Sequence, residues 1–213
     1  MSWVYHDTNR LGSMTQYEMS QNVDEIYRQL YAVYGWSVNA ICAVLGNMQQ
    51  ESSLNPAQTQ NGYPIGSKSG GYGLCQWTPS TKLTDWCHAN NHSIYSGFWQ
   101  IYFLNFQSGG TEYYPVPAYP LSYAEFKVSG QTVDYLTRAF LKNYERAGDE
   151  ATSLRIQYAE AWYRYIMGTD PPPTPTPTPP VPPVPPTPPT PDPSGYRGRT
   201  NPVFYLRNRN LYF

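Results

Sequence analysis

GWSVNAICAVLGNMQQESSLNP, residues 35–56, is the stretch that decides the fold. Ser37 is a favourable N-cap, and apolar residues follow it at helical spacing. These apolar residues are Val38, Ile41, Cys42, Leu45 and Met48. Glu51 extends the same stripe by three residues. The pattern predicts a buried helix that carries one carboxylate in its last turn.

Glu51 is the residue that stands out on physical grounds. A carboxylate at the edge of an apolar stripe is partly desolvated, which raises its pKa, and the dipole at a helix C-terminus disfavours negative charge. Both effects favour a protonated acid, which is what protonation of a glycosidic oxygen requires. Position alone leaves open a second interpretation, a solvent-facing glutamate at a frayed helix end.

Motifs further along the chain carry a resemblance to a known family. An ESxxNP helix end at 51–56, followed by GLCQ at 73–76, resembles the lysozyme-like fold of goose-type lysozymes and lytic transglycosylases. The longer stretches GGYGLCQWTPSTKLTDW, AFLKNYERAGD and RIQYAEAWYRY follow in the same order as in the phage tail lysozyme family. The chain is similar to that family over about residues 14–168.

The resemblance implies a mainly α fold, a two-lobed helical domain with a short β-hairpin, and it makes Glu51 the general acid. It also implies a set of substrate-binding residues, which are Ser52, Asn55, Tyr72, Gln76, Trp77 and Tyr144. Gln76 would hydrogen-bond an N-acetyl sugar, and the aromatic faces would border the groove. Ser52 and Asn55 would hold the helix end in place. The alternative for each supporting residue is a purely structural role.

A second carboxylate is not supplied by the segment after the acid, because no Asp or Glu lies between Glu51 and Asp85. Retaining and inverting glycosidases both need such a partner. The candidates are Asp85, Glu145 and Asp149. Glu145 is the first to test, although an ordinary ion pair with Arg146 or Lys142 is the alternative. A further alternative is attack by the substrate's own N-acetyl or 6-hydroxyl group, as in lytic transglycosylases.

Other elements are predicted from caps and periodicity. A capping box of Asn22 with Glu25 predicts a helix to about Tyr34, and residues 54–77 read as loop and short hairpin. Further helices are predicted from Pro79, over about 97–107, from a capping box of Ser122 with Glu125, and over about 132–146 and 152–167.

Composition divides the chain into a catalytic domain over 1–170, a linker over 171–193 and a C-terminal peptide over 194–213. In the linker, 15 of 23 residues are proline. Proline lacks an amide donor and has a fixed φ, so this segment predicts a polyproline II spacer. A ligand for a proline-recognising domain is the alternative.

The C-terminal peptide interleaves arginine with aromatic residues, the types that dominate interface hot spots. We predict that it anchors the chain to a phage tail or other virion protein, and a disordered end is the alternative. The predicted partner-binding residues are Arg197, Arg199, Phe204, Tyr205, Arg207, Arg209, Tyr212 and Phe213.

Net charge, cysteine spacing and apolar runs argue against several classes of protein. A net charge of −1 argues against nucleic acid as a partner. Cys42, Cys75 and Cys87 have no disulfide-framework spacing and are predicted to be small buried residues. His88 and His92 match no strong zinc pattern, and the predicted mechanism needs no metal or other cofactor. The polar N-terminus predicts no secretory signal, and no apolar run is long enough for membrane insertion.

These observations predict a virion-associated muramidase of the phage tail. It would be made in the host cytoplasm without a signal peptide and would cut the β-1,4 bond between N-acetylmuramic acid and N-acetylglucosamine in bacterial peptidoglycan. Two alternatives stay open: a free endolysin, and a catalytically silent structural or glycan-binding part of the tail.

Overall fold

The computed structural model describes residues 3–146, 148 and 151–170. The predicted linker, the predicted C-terminal peptide and Asp149 lie outside the described residues. The described part is mainly helical, as predicted. Its helices are α1 (Gln16–Tyr27, continued by a π-helical segment Arg28–Val33), α2 (Val38–Ser52), α3 (Thr81–Ala89), α4 (Gly97–Phe103, continued by a π-helical segment Leu104–Ser108), α5 (Gly109–Glu112), α6 (Tyr123–Val128), α7 (Val133–Phe140, continued by a π-helical segment Leu141–Glu145) and α8 (Thr152–Ile166).

The first helix begins earlier than the sequence pattern predicts. The prediction of an N-cap at Asn22 is wrong, because α1 begins at Gln16 and Thr15 caps it in a capping box with Glu18. Asn22 is fully buried, and its side chain bonds backbone groups of the N-terminal segment and of the loop after α2. Both TxxE and NxxE match the capping pattern, so local sequence does not distinguish them.

Helix α2 forms as its sequence predicts and is the centre of the fold. The Ser37 hydroxyl accepts a hydrogen bond from the amide of Ala40 at 3.2 Å, which confirms the N-cap. The core face of α2 includes Ile41, Cys42, Leu45 and Met48, all with no exposed surface. It packs against α7 and α8.

Helices α2 and α8 approach closely at Gly46. A Cβ added there would contact the carbonyl oxygen of Arg155 and would lie 2.7 Å from Cβ of Ala159. Only a residue without a side chain fits this crossing. The position of α8 along α2 is therefore set at Gly46, one and a half turns before Glu51.

The segment over 54–77 is irregular. In the described residues it forms isolated bridges between Thr8 and Gln58, between Thr59 and Tyr72 and between Tyr72 and Trp77. These bridges are single and form no ladder between two strands in the described residues, so the predicted short hairpin is not confirmed. The bridge to Thr8 brings the N-terminal segment alongside this loop.

The remaining helices confirm most of the sequence pattern. The capping box of Ser122 with Glu125 is present at the start of α6, and α4, α7 and α8 lie where helices were predicted. Cys42, Cys75 and Cys87 are free and buried, as predicted. None of the helices in the described part of the chain has the length and apolarity needed to cross a membrane.

Candidate active site

A pocket of about 340 Å³ lies where the end of α2 meets the loop over 58–78 and the end of the segment after α7. It brings together Glu51, Gln76 and Glu145 from the predicted site residues. Its lining consists of Leu11, Glu51, Gln58, Gln60, Asn61, Gln76, Thr78 and Glu145. The lining is mostly polar, with amide groups beside two carboxyl groups.

Glu51 reaches the pocket because α2 ends abruptly just after it. Ser53 and Leu54 both have left-handed backbone conformations, with φ of 54° and 58°. These two residues turn the chain away from the helix axis, so the last helical turn faces the pocket. The Glu51 side chain keeps 22% of its surface exposed.

Arg155 is the charged partner of Glu51. Its Nη2 donates to Oε1 of Glu51 at 2.6 Å, and its Nη1 donates to Oδ1 of Asn47 at 3.1 Å. The arginine is only 5% exposed. Sequence analysis missed this residue, although Arg155 shares a helical face with the buried Ala159 and Trp162. An arginine on an apolar face was the signal available.

Glu145 is the carboxyl group in the desolvated position that was expected for Glu51. The residue is partly exposed, but its Oε1 is buried and has no hydrogen-bond partner among the described residues. Burial raises the pKa of Glu145 well above its ordinary value of 4.5, and repulsion by Glu51 and Glu112 adds to this effect. Arg155 opposes it in part. The free site therefore favours a proton on Glu145.

Gln76 lines the same pocket as Glu51. Its Nε2 donates to the carbonyl oxygens of Gln58 at 2.9 Å and Gly73 at 3.1 Å. With Nε2 committed to the backbone, a ligand would meet Oε1 of this side chain. A carbonyl oxygen is the group that an amide N–H of an N-acetyl sugar can donate to.

Ser52 and Asn55 hold the end of α2 and do not line the pocket. Both are fully buried. The Ser52 hydroxyl donates to the carbonyl oxygens of Met48 and Leu74, each at 3.0 Å. The Asn55 side chain donates to the carbonyl of His6 at 2.7 Å and accepts from its amide at 3.1 Å. Ser52 and Asn55 are therefore not placed for the predicted contact with substrate. Their geometry fits the positioning role that the resemblance also implied.

Trp77 and Tyr144 are likewise placed behind the pocket, because both are buried. The Trp77 Nε1 donates to Oη of Tyr144 at 2.7 Å and to the hydroxyl of Ser108 at 3.2 Å. Tyr144 directly precedes Glu145, so this buried network fixes the backbone that carries the second carboxyl group. Direct contact of either ring with substrate is not supported by these positions.

Two other predicted residues lie elsewhere. Asp85, on α3, and Tyr72 line a separate pocket that shares no lining residue with the one at Glu51. Of the candidates for the second carboxylate in the described residues, only Glu145 lies in the pocket with Glu51. The loop over 61–72 has no regular structure. Local sequence therefore could not show which of its residues line the pocket at Glu51 and which line the other pocket.

Comparison with known proteins assigns the chain to a family. Residues 21–166 match the family model described as phage tail lysozyme, which is more than half of the chain. The chain belongs to the phage tail lysozyme family. Both carboxyl groups of the pocket, Gln76 and Arg155 lie within the matched residues.

A relative of this chain is morphogenesis protein 1 of Bacillus phage B103. The two are 33% identical over 165 residues. The alignment covers 78% of this chain but 44% of the relative. The chain therefore spans less than half the length of this curated relative, whose name refers to morphogenesis.

Proposed function

We propose that this phage tail lysozyme is a glycosidase of the virion that cleaves the β-1,4 bond between N-acetylmuramic acid and N-acetylglucosamine in peptidoglycan. The observation that carries the proposal is the pair of carboxyl groups, Glu51 and Glu145, in one pocket. Glycoside cleavage needs one carboxyl group that protonates the leaving oxygen and commonly uses a second as base or nucleophile. Membership of the family supports this class of enzyme, and the pocket offers two carboxyl groups for the reaction.

Glu51 is the proposed general acid because its side chain opens onto the pocket, whereas Oε1 of Glu145 is buried. In the free protein Arg155 pairs with Glu51, and burial favours the protonated form of Glu145. A sugar that covers Glu51 excludes water and competes with the contact to Arg155. Both changes favour the protonated form of Glu51. Sugar binding would then move the proton from Glu145 to Glu51, which leaves Glu145 as a carboxylate, and Glu51 gives this proton to the glycosidic oxygen.

Two chemical routes follow from that protonation. In the first, Glu145 acts as the second carboxylate and water completes hydrolysis, leaving a reducing end. In the second, the 6-hydroxyl of the substrate attacks, leaving a 1,6-anhydro end. We propose the hydrolytic route, because Glu145 supplies a second carboxyl group in the pocket.

Digestion of purified peptidoglycan tests the proposal. Wild type, Glu51→Gln and Glu145→Gln would be compared, and the released fragments would be identified by mass spectrometry. Reducing muropeptides that disappear with Glu51→Gln support the hydrolase, while 1,6-anhydro ends assign the second route. If wild type releases no fragments from walls of several chemotypes, the domain is a structural or glycan-binding part of the tail.

Delivery by the particle is part of the proposal. It rests on the family, and the predicted linker and anchor peptide would tether the enzyme to the tail. Mass spectrometry of washed particles and cross-linking of residues 194–213 test it. A protein that is absent from particles and accumulates free before lysis acts as an endolysin instead.

A further inference from the structure

A second pocket, of about 260 Å³, lies between the loop over 65–68 and α3. Its wall is closed by a hydrogen bond from the Ser80 hydroxyl to the carbonyl oxygen of Ser67 at 2.6 Å. The lining is largely apolar and includes Ile65, Ile94 and the ring of Tyr95. The last of these stacks on Tyr5 with ring centroids 5.4 Å apart. The proposed chemistry at Glu51 uses none of these residues.

Tyr72 marks this pocket as a binding site. The residue lines it, is 5% exposed and has a buried hydroxyl with no hydrogen-bond partner among the described residues. Burial raises the pKa of this hydroxyl strongly. Tyr95 and Asp7 line the same pocket. A buried polar group without a partner is unfavourable unless something pairs with it. A ligand in the pocket would supply that partner.

The charged groups around the pocket define the ligand. Asp7 and Asp85 contribute two carboxylates against the single ammonium group of Lys68, and His88 completes the polar lining. The Tyr95 hydroxyl donates to Oδ2 of Asp7 at 3.4 Å. A small apolar cavity with an excess of carboxylate and an unpaired hydroxyl suits an aliphatic chain that ends in an ammonium group.

We propose that this pocket binds the amino-bearing side chain of the diamino acid in a peptidoglycan stem peptide. The inference rests on the proposed function, because the glycan in the pocket at Glu51 would present that peptide. The same loops line both pockets: Asn61 and Thr78 line the first, whereas Ile65 and Ser80 line the second. Lys68 offers a partner to a carboxylate beside the amine. The pocket would thus select the peptide while the first pocket cleaves the glycan.

Calorimetric titration of the full chain with synthetic stem peptides tests the inference. The three peptides would carry lysine, meso-diaminopimelate or Nε-acetyl-lysine at the third position. We expect both amine peptides to bind and acetylation to weaken binding at least tenfold. If the diaminopimelate peptide binds more tightly than the lysine peptide, Lys68 pairs with its extra carboxylate. If the two bind equally, the pocket recognises only the ammonium group. Equal binding of the acetylated peptide, or none by any peptide, overturns the inference.

Variants separate this pocket from the first. Asp85 is exposed, and Asp85→Asn keeps the shape of the side chain while removing its charge. This substitution should weaken binding of the amine peptides about tenfold. Tyr72→Phe should weaken it as well without lowering the midpoint of urea unfolding, because it removes an unpaired buried hydroxyl. Glu51→Gln should leave peptide binding unchanged. Unchanged affinity in both Asp85→Asn and Tyr72→Phe contradicts the assignment.

Peptide-free glycan strands distinguish failure of this inference from failure of the proposed function. If wild type cleaves such strands in a Glu51-dependent way while no stem peptide binds, only the second pocket is wrongly assigned. If amine peptides bind but no glycan is cleaved, the pocket is confirmed as a peptide site and the glycosidase proposal fails.

Discussion

Arg155 of α8 donates from Nη2 to Oε1 of Glu51 in the last turn of α2, at 2.6 Å. The guanidinium is buried, and the same side chain also bonds Asn47 one turn earlier on α2. This contact joins the two helices at the point where the chemistry is proposed. It also provides the cation that offsets the negative charge of a pocket holding two glutamates.

Arg155→Gln is expected to destabilise the fold and to change the pH dependence of cleavage. Removing one partner of a largely buried ion pair costs about 3 kcal/mol. Arg155 lowers the pKa of Glu145, so its loss raises that pKa further. Glu145 acts as a carboxylate in the proposed hydrolysis, so the acidic limb of the pH–rate profile should move to higher pH. Urea unfolding and initial rates across pH measure the two effects.

Arg164→Gln is the matched control on the same helix. Arg164 is about half exposed and pairs with Asp170 at the end of α8. A surface change of this kind alters stability by less than about 0.5 kcal/mol. An unshifted pH profile in Arg155→Gln, at retained fold, would falsify the electrostatic role given to Arg155.

Gly46→Ala should separate α2 from α8. The added Cβ would lie 2.7 Å from Cβ of Ala159 and 2.8 Å from its backbone nitrogen, closer than packed atoms allow. Overpacking of this kind costs about 1–3 kcal/mol, and the shift of α8 would weaken the contact between Arg155 and Glu51. Gly130→Ala is the control, since nothing lies within 4 Å of its Cβ. Thermal unfolding and cleavage rate should fall together in Gly46→Ala only.

Glu145→Gln should remove a pH-dependent loss of stability. The folded pKa of Glu145 is raised above its ordinary value of 4.5, so its carboxyl group stabilises the fold below that pH. The contribution is lost progressively as pH rises toward the folded pKa. Gln stays neutral, so the free energy of unfolding of the variant in urea should rise relative to that of wild type between pH 4 and pH 8.

The same variant should lose most of its cleavage activity, since the second carboxyl group is gone. Glu160→Gln, an exposed change on α8, serves as the control and should follow wild type in both measurements. Parallel pH–stability curves for wild type and Glu145→Gln would contradict the assignment of the proton to Glu145.

Asn55→Ala and Gln76→Ala should separate positioning from substrate contact. Asn55 holds the N-terminal segment through His6, so its loss should cost about 1–3 kcal/mol and lower kcat with little change in KM. Gln76 lines the pocket, and its loss should raise KM up to about tenfold. Kinetics on soluble glycan strands measure both. A raised KM with normal stability in Asn55→Ala would instead favour substrate contact.

Much of α2 could be predicted because its signals are local. The cap at Ser37, the apolar stripe and the position of Glu51 in the last turn all follow from residues within a few turns of each other. Gln76 was placed in the pocket by its motif. The start of α1 was mistaken because two capping patterns compete within eight residues, and tertiary contacts of Asn22 decide between them.

The electrostatics of the site could not be predicted, because they depend on distant segments. Arg155 is 104 residues from Glu51 in sequence, and Glu145 comes from the end of a different helix. Burial of one carboxyl group and pairing of the other are properties of the packed arrangement. Likewise, the buried positions of Trp77 and Tyr144 depend on a network that spans 67 residues.

The position of Arg155 in the sequence has a consequence for when the candidate site is completed during synthesis. A ribosome that has completed residues 1–150 has made Glu51, Gln76 and Glu145, but not the helix that carries the guanidinium. The carboxylate at the end of α2 obtains its cation only when α8, the last helix of the described chain, docks beside Gly46. The proposed cleavage activity is therefore expected to depend on completion of the domain, and chains that end before α8 would lack the cation beside Glu51.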